Sequence, residues 1–187
     1  MLYSNIGDIF AAIDESRARL VARVESLDDS AQNFRPADGT WTAAEIVEHL
    51  STLERSLLQL ATMMLGKIEG AAAAGGTQAG GEAASHFKPF SLDDLAEQAR
   101  GRKFEAPEQV RPRGDVPLAD SLARLRESRA GFAALRPRFE LADLSAATYP
   151  HPVFGPLNLY QWLAFIGVHE ERHLNQIERL LKGRAEV

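Results

Sequence analysis

The segment LNLYQWLAFIGVHEERHLNQIERLLK, residues 157–182, decides the fold, because its apolar residues recur every three or four positions. This spacing predicts one long amphipathic helix. The apolar positions are Trp162, Phe165, Ile166, Ile177 and Leu180. At about 100° per residue, His169 and His173 fall within roughly 20° of the centre of that apolar face. Each buried imidazole must satisfy two ring nitrogens, and one shared metal ion could do so for both residues.

The same spacing predicts three earlier amphipathic helices. They cover residues 4–27, a stretch from Thr42 to about residue 65, and residues 117–136, where Pro137 is expected to end the third helix. Four long helices with no convincing strand favour an all-α helix bundle, and residues 1–187 are expected to form a single domain.

Two of these helices begin with a capping box, a pair of residues that bond to each other's backbone N–H groups. Thr42 is followed three residues later by Glu45, and Asn158 is followed three residues later by Gln161. The sequence therefore predicts well-defined starts for the second and fourth helices.

The connections between these helices differ in composition. Residues 66–85, GKIEGAAAAGGTQAGGEAAS, contain little apolar bulk and predict a long Gly/Ala-rich loop between the second and third helices. The alternative is that the AAAA run extends the second helix, which the glycines on either side disfavour. Residues 91–102 predict a short helix capped by Ser91 within the same connection. Residues 139–156 contain three prolines and predict an irregular connector before the fourth helix.

The composition excludes several classes of protein. Hydrophobic residues make up 45% and charged residues 25%, and the net charge of −5 disfavours a nucleic-acid surface. The absence of cysteine removes disulfides, thiolate ligands and a cysteine nucleophile. There is no apolar run of membrane-spanning length, and MLYSNIGDIF at the start lacks signal-peptide features. We therefore expect a cytoplasmic protein with no membrane or nucleic-acid partner.

Three of the five histidines lie on predicted long helices and face the interior: His49, His169 and His173. Histidines at positions i and i+4 can converge on one ion, and a third from a facing helix would complete a three-ligand site with open positions. Such sites are typically catalytic. The alternative is that these are core histidines bonded to carbonyls and carboxylates.

The string from His169 to His173 also reads H-E-x-x-H, the zinc metalloprotease pattern in which Glu170 would be the general base. The surrounding chain supports this poorly, because no predicted sheet precedes the helix and only fourteen residues follow His173. Glu170 and Glu171 are instead expected as surface or flanking charges, or as partners of a histidine N–H.

Three other polar residues are candidates for supporting roles. His151, in HPVFG, could reach the site as a substrate-binding or supporting residue, or could simply pack its own loop. Gln176 could bond to a metal ligand or cap the core. His86 lies in the Gly/Ala-rich region and is expected to be solvated.

These motifs resemble the DinB-like superfamily, four-helix proteins of the damage-inducible type that are related to bacillithiol and mycothiol S-transferases. The resemblance rests on WTAAE at 41–45 leading to His49, HPVFG at 151–155, QWL at 161–163, His169, and HLNQI at 173–177. It implies an up-down-down-up bundle, a homodimer and one divalent metal held by three histidines. By position, those ligands would be His49, His169 and His173.

The resemblance favours a divalent-metal-dependent enzyme with thiol S-transferase-like or hydrolytic chemistry. Its substrate would be a small molecule, with a low-molecular-weight thiol as one candidate. The alternative is a non-catalytic, stress-induced bundle that binds a ligand or dimerises. Three imidazoles suit zinc, nickel, iron or copper, so the sequence leaves the metal open.

Overall fold

The computed structural model describes residues 1–74, 87–99 and 104–185, and these form a four-helix bundle with small additions. The helices are α1 (Ile6–Glu25), α2 (Asp29–Gln32), α3 (Ala43–Ala74), α4 (Asp93–Ala99), α5 (Leu118–Leu141) and α6 (Leu159–Ala185). A 3-10 helix covers Glu108–Val110, and the strands are β1 (Leu2–Tyr3), β2 (Phe90–Ser91), β3 (Thr148–His151) and β4 (Gly155–Asn158). The long helices α1, α3, α5 and α6 build the bundle.

Side-chain pairs along the helices show which of them run parallel. Arg19 of α1 bonds to Glu171 of α6, and Arg23 bonds to Glu178 further along both helices, each at 2.6 Å. Residue numbers rise together, so α1 and α6 run parallel. The helices α3 and α5 behave in the same way, with the pairs Glu54–Arg129 and Glu69–Arg138.

The two parallel pairs run in opposite directions. His49, near the start of α3, meets His169 and His173 in the middle of α6, whereas Ala61, further along α3, lies beside Trp162 near the start of α6. Helices α3 and α6 are therefore antiparallel. The order is up-down-down-up, which confirms the predicted topology.

Both predicted capping boxes are present. The Thr42 N–H donates to Glu45 Oε2 at 2.9 Å and the Glu45 N–H donates to Thr42 Oγ1 at 3.1 Å. The corresponding two bonds between Asn158 and Gln161 are both 2.9 Å. These bonds satisfy backbone donors that the first helical turn leaves unpaired, so they fix where α3 and α6 begin.

Two predicted helix ends are wrong. Helix α3 continues through Gly66 and Gly70 to Ala74, so the first part of the expected loop over 66–85 is helical and the alternative of a helix extended through the AAAA run is the correct one. Helix α5 passes through Pro137 and ends at Leu141. Residues 75–85, the rest of the expected loop, lie outside the described residues, as does His86.

The other connections contain more regular structure than predicted. Strands β3 and β4 form an antiparallel hairpin in which His151 pairs with Gly155, where an irregular connector was expected. Gly155 has φ +74°, which suits glycine at this tight reversal. The predicted short helix is present as α4, preceded by Ser91, whose Oγ accepts from the Asp93 N–H at 3.0 Å. Strand β1 pairs antiparallel with β2.

Buried residues form two apolar clusters with polar side chains between them. The first cluster surrounds Phe132, Phe139 and Leu163, and the second surrounds Leu20, Ile46 and Leu125. We call the buried side chains between them the polar layer: Ser16, Arg17, His49, Ser51, Glu54, Ser128, Glu170 and His173. None of the helices in the described ranges has the length and apolar character that crossing a bilayer requires.

Candidate metal centre

The structure brings the three predicted ligands together inside the polar layer. His169 Nε2 lies 3.1 Å from His49 Nε2 and 3.1 Å from His173 Nε2. One nitrogen from each ring lies within 4.8 Å of the other two. His49 and His173 are buried, at 3% and 6% exposed, whereas His169 is partly exposed. The i, i+4 spacing on α6 and the antiparallel approach of α3 produce this convergence.

Hydrogen bonds at the opposite ring nitrogens fix the tautomers of two of these histidines. The His49 Nδ1 lies 2.7 Å from the carbonyl oxygen of Val110, and the His173 Nδ1 lies 2.9 Å from Gln176 Oε1. Both partner oxygens can only accept, so each Nδ1 carries the proton. The Nε2 atoms of His49 and His173 therefore point lone pairs at His169.

This arrangement fits a transition metal. Nitrogens bound to zinc at about 2.0–2.1 Å in a tetrahedral site are about 3.3 Å apart, close to the 3.1 Å separations found here. A histidine that binds a metal through one ring nitrogen usually donates a hydrogen bond through the other, as His49 and His173 do here. Three such ligands leave coordination positions for water or substrate.

The electrostatics keep all three rings neutral at physiological pH. Burial lowers the pKa of His49, and it lowers the pKa of His173 to about 3. Burial, and then the charges of His173 and His49, hold the pKa of His169 well below its ordinary value. Because metal ions bind neutral imidazole, protons compete weakly for this site near pH 7.

Aromatic rings flank the three histidines on two sides. The Trp41 ring lies 5.0 Å from the His49 ring and stacks at 6.4 Å on the His173 ring. On the other side, the Phe165 ring lies 5.5 Å from the His169 ring and 4.8 Å from the ring of His151. The site is therefore bordered by apolar surface, which strengthens electrostatic interactions within it.

His151 belongs to the hairpin and lies one aromatic ring away from His169. Its Nδ1 accepts from the backbone N–H groups of Val153 at 3.1 Å and Phe154 at 3.3 Å, so its proton is on Nε2. Burial lowers the pKa of His151 to about 4. It thus packs its own loop through Nδ1, and its ring reaches the site through Phe165, which contacts both His151 and His169.

Glu170 does not face the histidines. It is 2% exposed, and its Oε2 accepts from Ser16 Oγ at 2.6 Å while its Oε1 accepts from Arg17 Nε at 2.8 Å. Glu170 projects about 100° away from His169 on α6, and in this direction it meets Ser16 and Arg17 of α1. The expectation of a surface charge or a histidine partner is therefore wrong for Glu170. Its carboxylate is committed elsewhere, which removes the basis for a metalloprotease.

Two features of the site were missed from the sequence. The Val110 carbonyl carries no side-chain signal and lies 61 residues from His49. The position of the Trp41 ring over His49 and His173 was also not foreseen. Gln176 bonds to His173 as one of its two predicted roles required.

Comparison with known proteins agrees with this architecture. The family model of the DinB superfamily matches residues 12–177. The chain belongs to the DinB superfamily. An uncharacterized protein of Bacillus subtilis (strain 168), YuaE, is 27% identical over 173 residues, which cover 89% of this chain and 93% of YuaE.

Two solved structures share the fold. TT2238, described as a four-helix bundle protein, has a TM-score of 0.60 at 21% identity, over 94% of this chain and 99% of TT2238. YfiT from Bacillus subtilis has a TM-score of 0.58 at 18% identity, over 96% of this chain and 87% of YfiT. YfiT is described as a probable metal-dependent hydrolase with an unusual four-helix bundle topology.

Proposed function

We propose that this protein is a metal-dependent enzyme that binds one divalent transition metal through His49, His169 and His173. The observation that carries the proposal is the pair of fixed tautomers, which turns the lone pairs of His49 and His173 toward His169. Core histidines satisfied by carbonyls alone have no need to bring three ring nitrogens together. The arrangement is that of an open catalytic site rather than a closed structural one.

The reaction class we propose first is transfer of a low-molecular-weight thiol to a small electrophile, and hydrolysis is the second. A divalent metal supplies the same chemistry to both, because it lowers the pKa of a coordinated thiol or water. Thiol transfer draws on the superfamily's relation to thiol S-transferases. Hydrolysis draws on the description of YfiT, which shares the fold.

The protein's own residues have separable roles in this proposal. The carbonyl of Val110 and Gln176 hold two ligand rings in the required tautomer. Trp41 and Phe165 restrict water around the rings, and His151 offers a neutral Nε2–H to substrate from the hairpin. The resemblance further implies a homodimer, and the sequence favours the cytoplasm; both remain predictions.

The decisive experiment is elemental analysis of protein purified without chelator or nickel resin, beside a His169→Ala/His173→Ala variant. We expect about one transition metal per chain, lost in the variant. Thiol transfer to electrophiles and ester or amide hydrolysis would then be assayed in parallel. If neither protein holds metal and added zinc or nickel leaves the thermal midpoint unchanged, the proposal fails and the non-catalytic bundle takes its place.

A further inference from the structure

Two adjacent residues of α3 hold the segment over residues 107–114, which contains the 3-10 helix. His49 Nδ1–H donates to the Val110 carbonyl at 2.7 Å. The Glu48 carboxylate accepts from the Arg113 N–H through Oε1 and from the Gly114 N–H through Oε2, both at 2.9 Å. Glu48 is only 4% exposed, so a buried charge is fully committed to two backbone donors.

Apolar burial does little to hold this segment in place. Val110 is the one buried residue between residues 107 and 114, and most of the others are exposed. Within this segment, Gly114 has φ +75°. A Cβ at Gly114 would lie 3.0 Å from Glu45 Oε1, so the backbone of the segment passes close to α3 there. The bonds to Glu48 and His49 are therefore the main attachment of the segment to the bundle.

We propose that Glu48 is a positioning residue for the metal ligand His49. By fixing the amides of Arg113 and Gly114, it places the Val110 carbonyl where it accepts the Nδ1 proton, and this leaves the Nε2 lone pair of His49 directed at the site. The inference rests on the proposed metal site. Glu48 makes no contact with His169 or His173 among the contacts of the described residues, so it acts through the segment alone.

The test compares Glu48→Gln and Glu48→Asp with the control Glu45→Gln. Glu48→Gln replaces one carboxylate oxygen by an NH₂ group, which cannot accept from the second backbone N–H, and an aspartate is one methylene too short to reach both. Glu45 lies one helical turn before His49, and glutamine preserves its capping box, so the control removes a nearby charge without releasing the segment.

The first readout uses metal-free protein and requires no activity. Long-range proton–nitrogen correlation spectra of the imidazoles should show His49 protonated at Nδ1 in the wild type and in Glu45→Gln. Both Glu48 variants should show a mixture of the two tautomers. An unchanged His49 tautomer in a folded Glu48 variant would overturn the inference.

The second readout is zinc affinity, measured by competition with a chromophoric chelator. Loss of such supporting contacts weakens metal binding by about 10- to 100-fold, and we expect this in both Glu48 variants. The affinity of Glu45→Gln should equal that of the wild type. An equal loss of zinc affinity in Glu45→Gln would show that the effect comes from the lost charge, and it would overturn the inference. If the wild type binds no zinc, the proposed metal site is rejected, and the inference about the His49 tautomer is then tested by the spectra alone.

Discussion

Replacement of Arg17 by leucine tests the buried ion network in the polar layer. Arg17 donates through Nε to Glu170 and through Nη1 to the Leu125 carbonyl, both at 2.8 Å, and its Nη2 also contacts Glu54 and Glu170. Glu54 and Glu170 are 3% and 2% exposed. Leucine would leave two buried carboxylates near a single guanidinium, that of Arg129, at 3.4 and 3.6 Å.

We expect Arg17→Leu to lower the free energy of unfolding by about 3–5 kcal/mol, because removal of one partner leaves a buried charge uncompensated. That is a large share of the roughly 5–15 kcal/mol available to a typical domain. The assay is urea unfolding of metal-free protein. Arg19→Leu, which breaks an exposed pair with Glu171, should cost at most about 1 kcal/mol.

The loss in Arg17→Leu should also depend on pH. Burial raises the pKa of Glu54, and the charge of Arg17 opposes that rise, so the variant should raise this pKa further. A carboxyl with a raised folded-state pKa stabilises the fold at low pH and loses that contribution as pH rises through the folded value. The deficit should therefore be smaller at pH 5 than at pH 7.

A second substitution provides the refuting comparison. In Arg17→Leu/Glu170→Leu, one carboxylate and one guanidinium remain, so much of the lost stability should return, since apolar replacements of a buried pair are often close to neutral. A decrease in the free energy of unfolding of less than about 1 kcal/mol in Arg17→Leu, the size expected for an exposed pair, would refute a stabilising role of the buried network. A double variant less stable than Arg17→Leu would refute it as well.

Three further predictions can be checked on the same protein. Urea unfolding should show that Gly66→Ala stabilises the protein by about 0.5–1 kcal/mol, because a methyl group at this helical position meets open space, whereas Gly39→Ala should destabilise it because Gly39 has φ +72°. A change of the same sign in both variants would contradict this prediction. Gln176→Leu should weaken zinc binding about 10-fold or more in a chelator competition, and unchanged affinity would show that its bond to His173 is dispensable. Metal-free protein should become less stable as pH falls from 6.5 toward 4, because burial lowers the pKa values of His151 and His173 in the folded state. The loss in free energy of unfolding should be at most about 1.4 kcal/mol per pH unit for each histidine. Urea unfolding that shows no loss over this range would contradict the prediction.

The helices and their starts could be predicted from the sequence because the signals are local. Apolar spacing and the two capping boxes lie within single helices, and the structure contains both boxes. The helix ends could not be predicted, because tertiary packing outweighed the tendency of Gly66 and Pro137 to end a helix. Pro137 removes only one backbone donor, while Phe139 beyond it is 1% exposed and its ring meets that of Phe10 at 6.3 Å. Beyond Gly66, Glu69 is paired with Arg138 at 2.7 Å, which ties the extended α3 to α5.

The residues of the candidate site were likewise predicted where the signal is local and missed where it is not. His169 and His173 are visible from helical spacing, and His49 from its helix face, because a helix face is a local property. The partners of Glu170 lie 153 and 154 residues away, and neither Ser16 nor Arg17 differs locally from an ordinary residue of an amphipathic helix. Contacts with a backbone carbonyl, such as that of Val110, leave no side-chain pattern to find.

The ion network and the candidate metal centre share one layer of the bundle, between two apolar clusters. On α6, His169 and His173 point to one side of that layer and Glu170 to the other, so one helix rotation satisfies both groups. Arg17 bonds to α6 through Glu170, to α3 through Glu54 and to α5 through the Leu125 carbonyl, and these bonds have fixed directions. Apolar burial has no preferred direction, whereas charge-assisted hydrogen bonds have a specific geometry. The rotation of α6 that satisfies these bonds is also the one in which both histidines face α3.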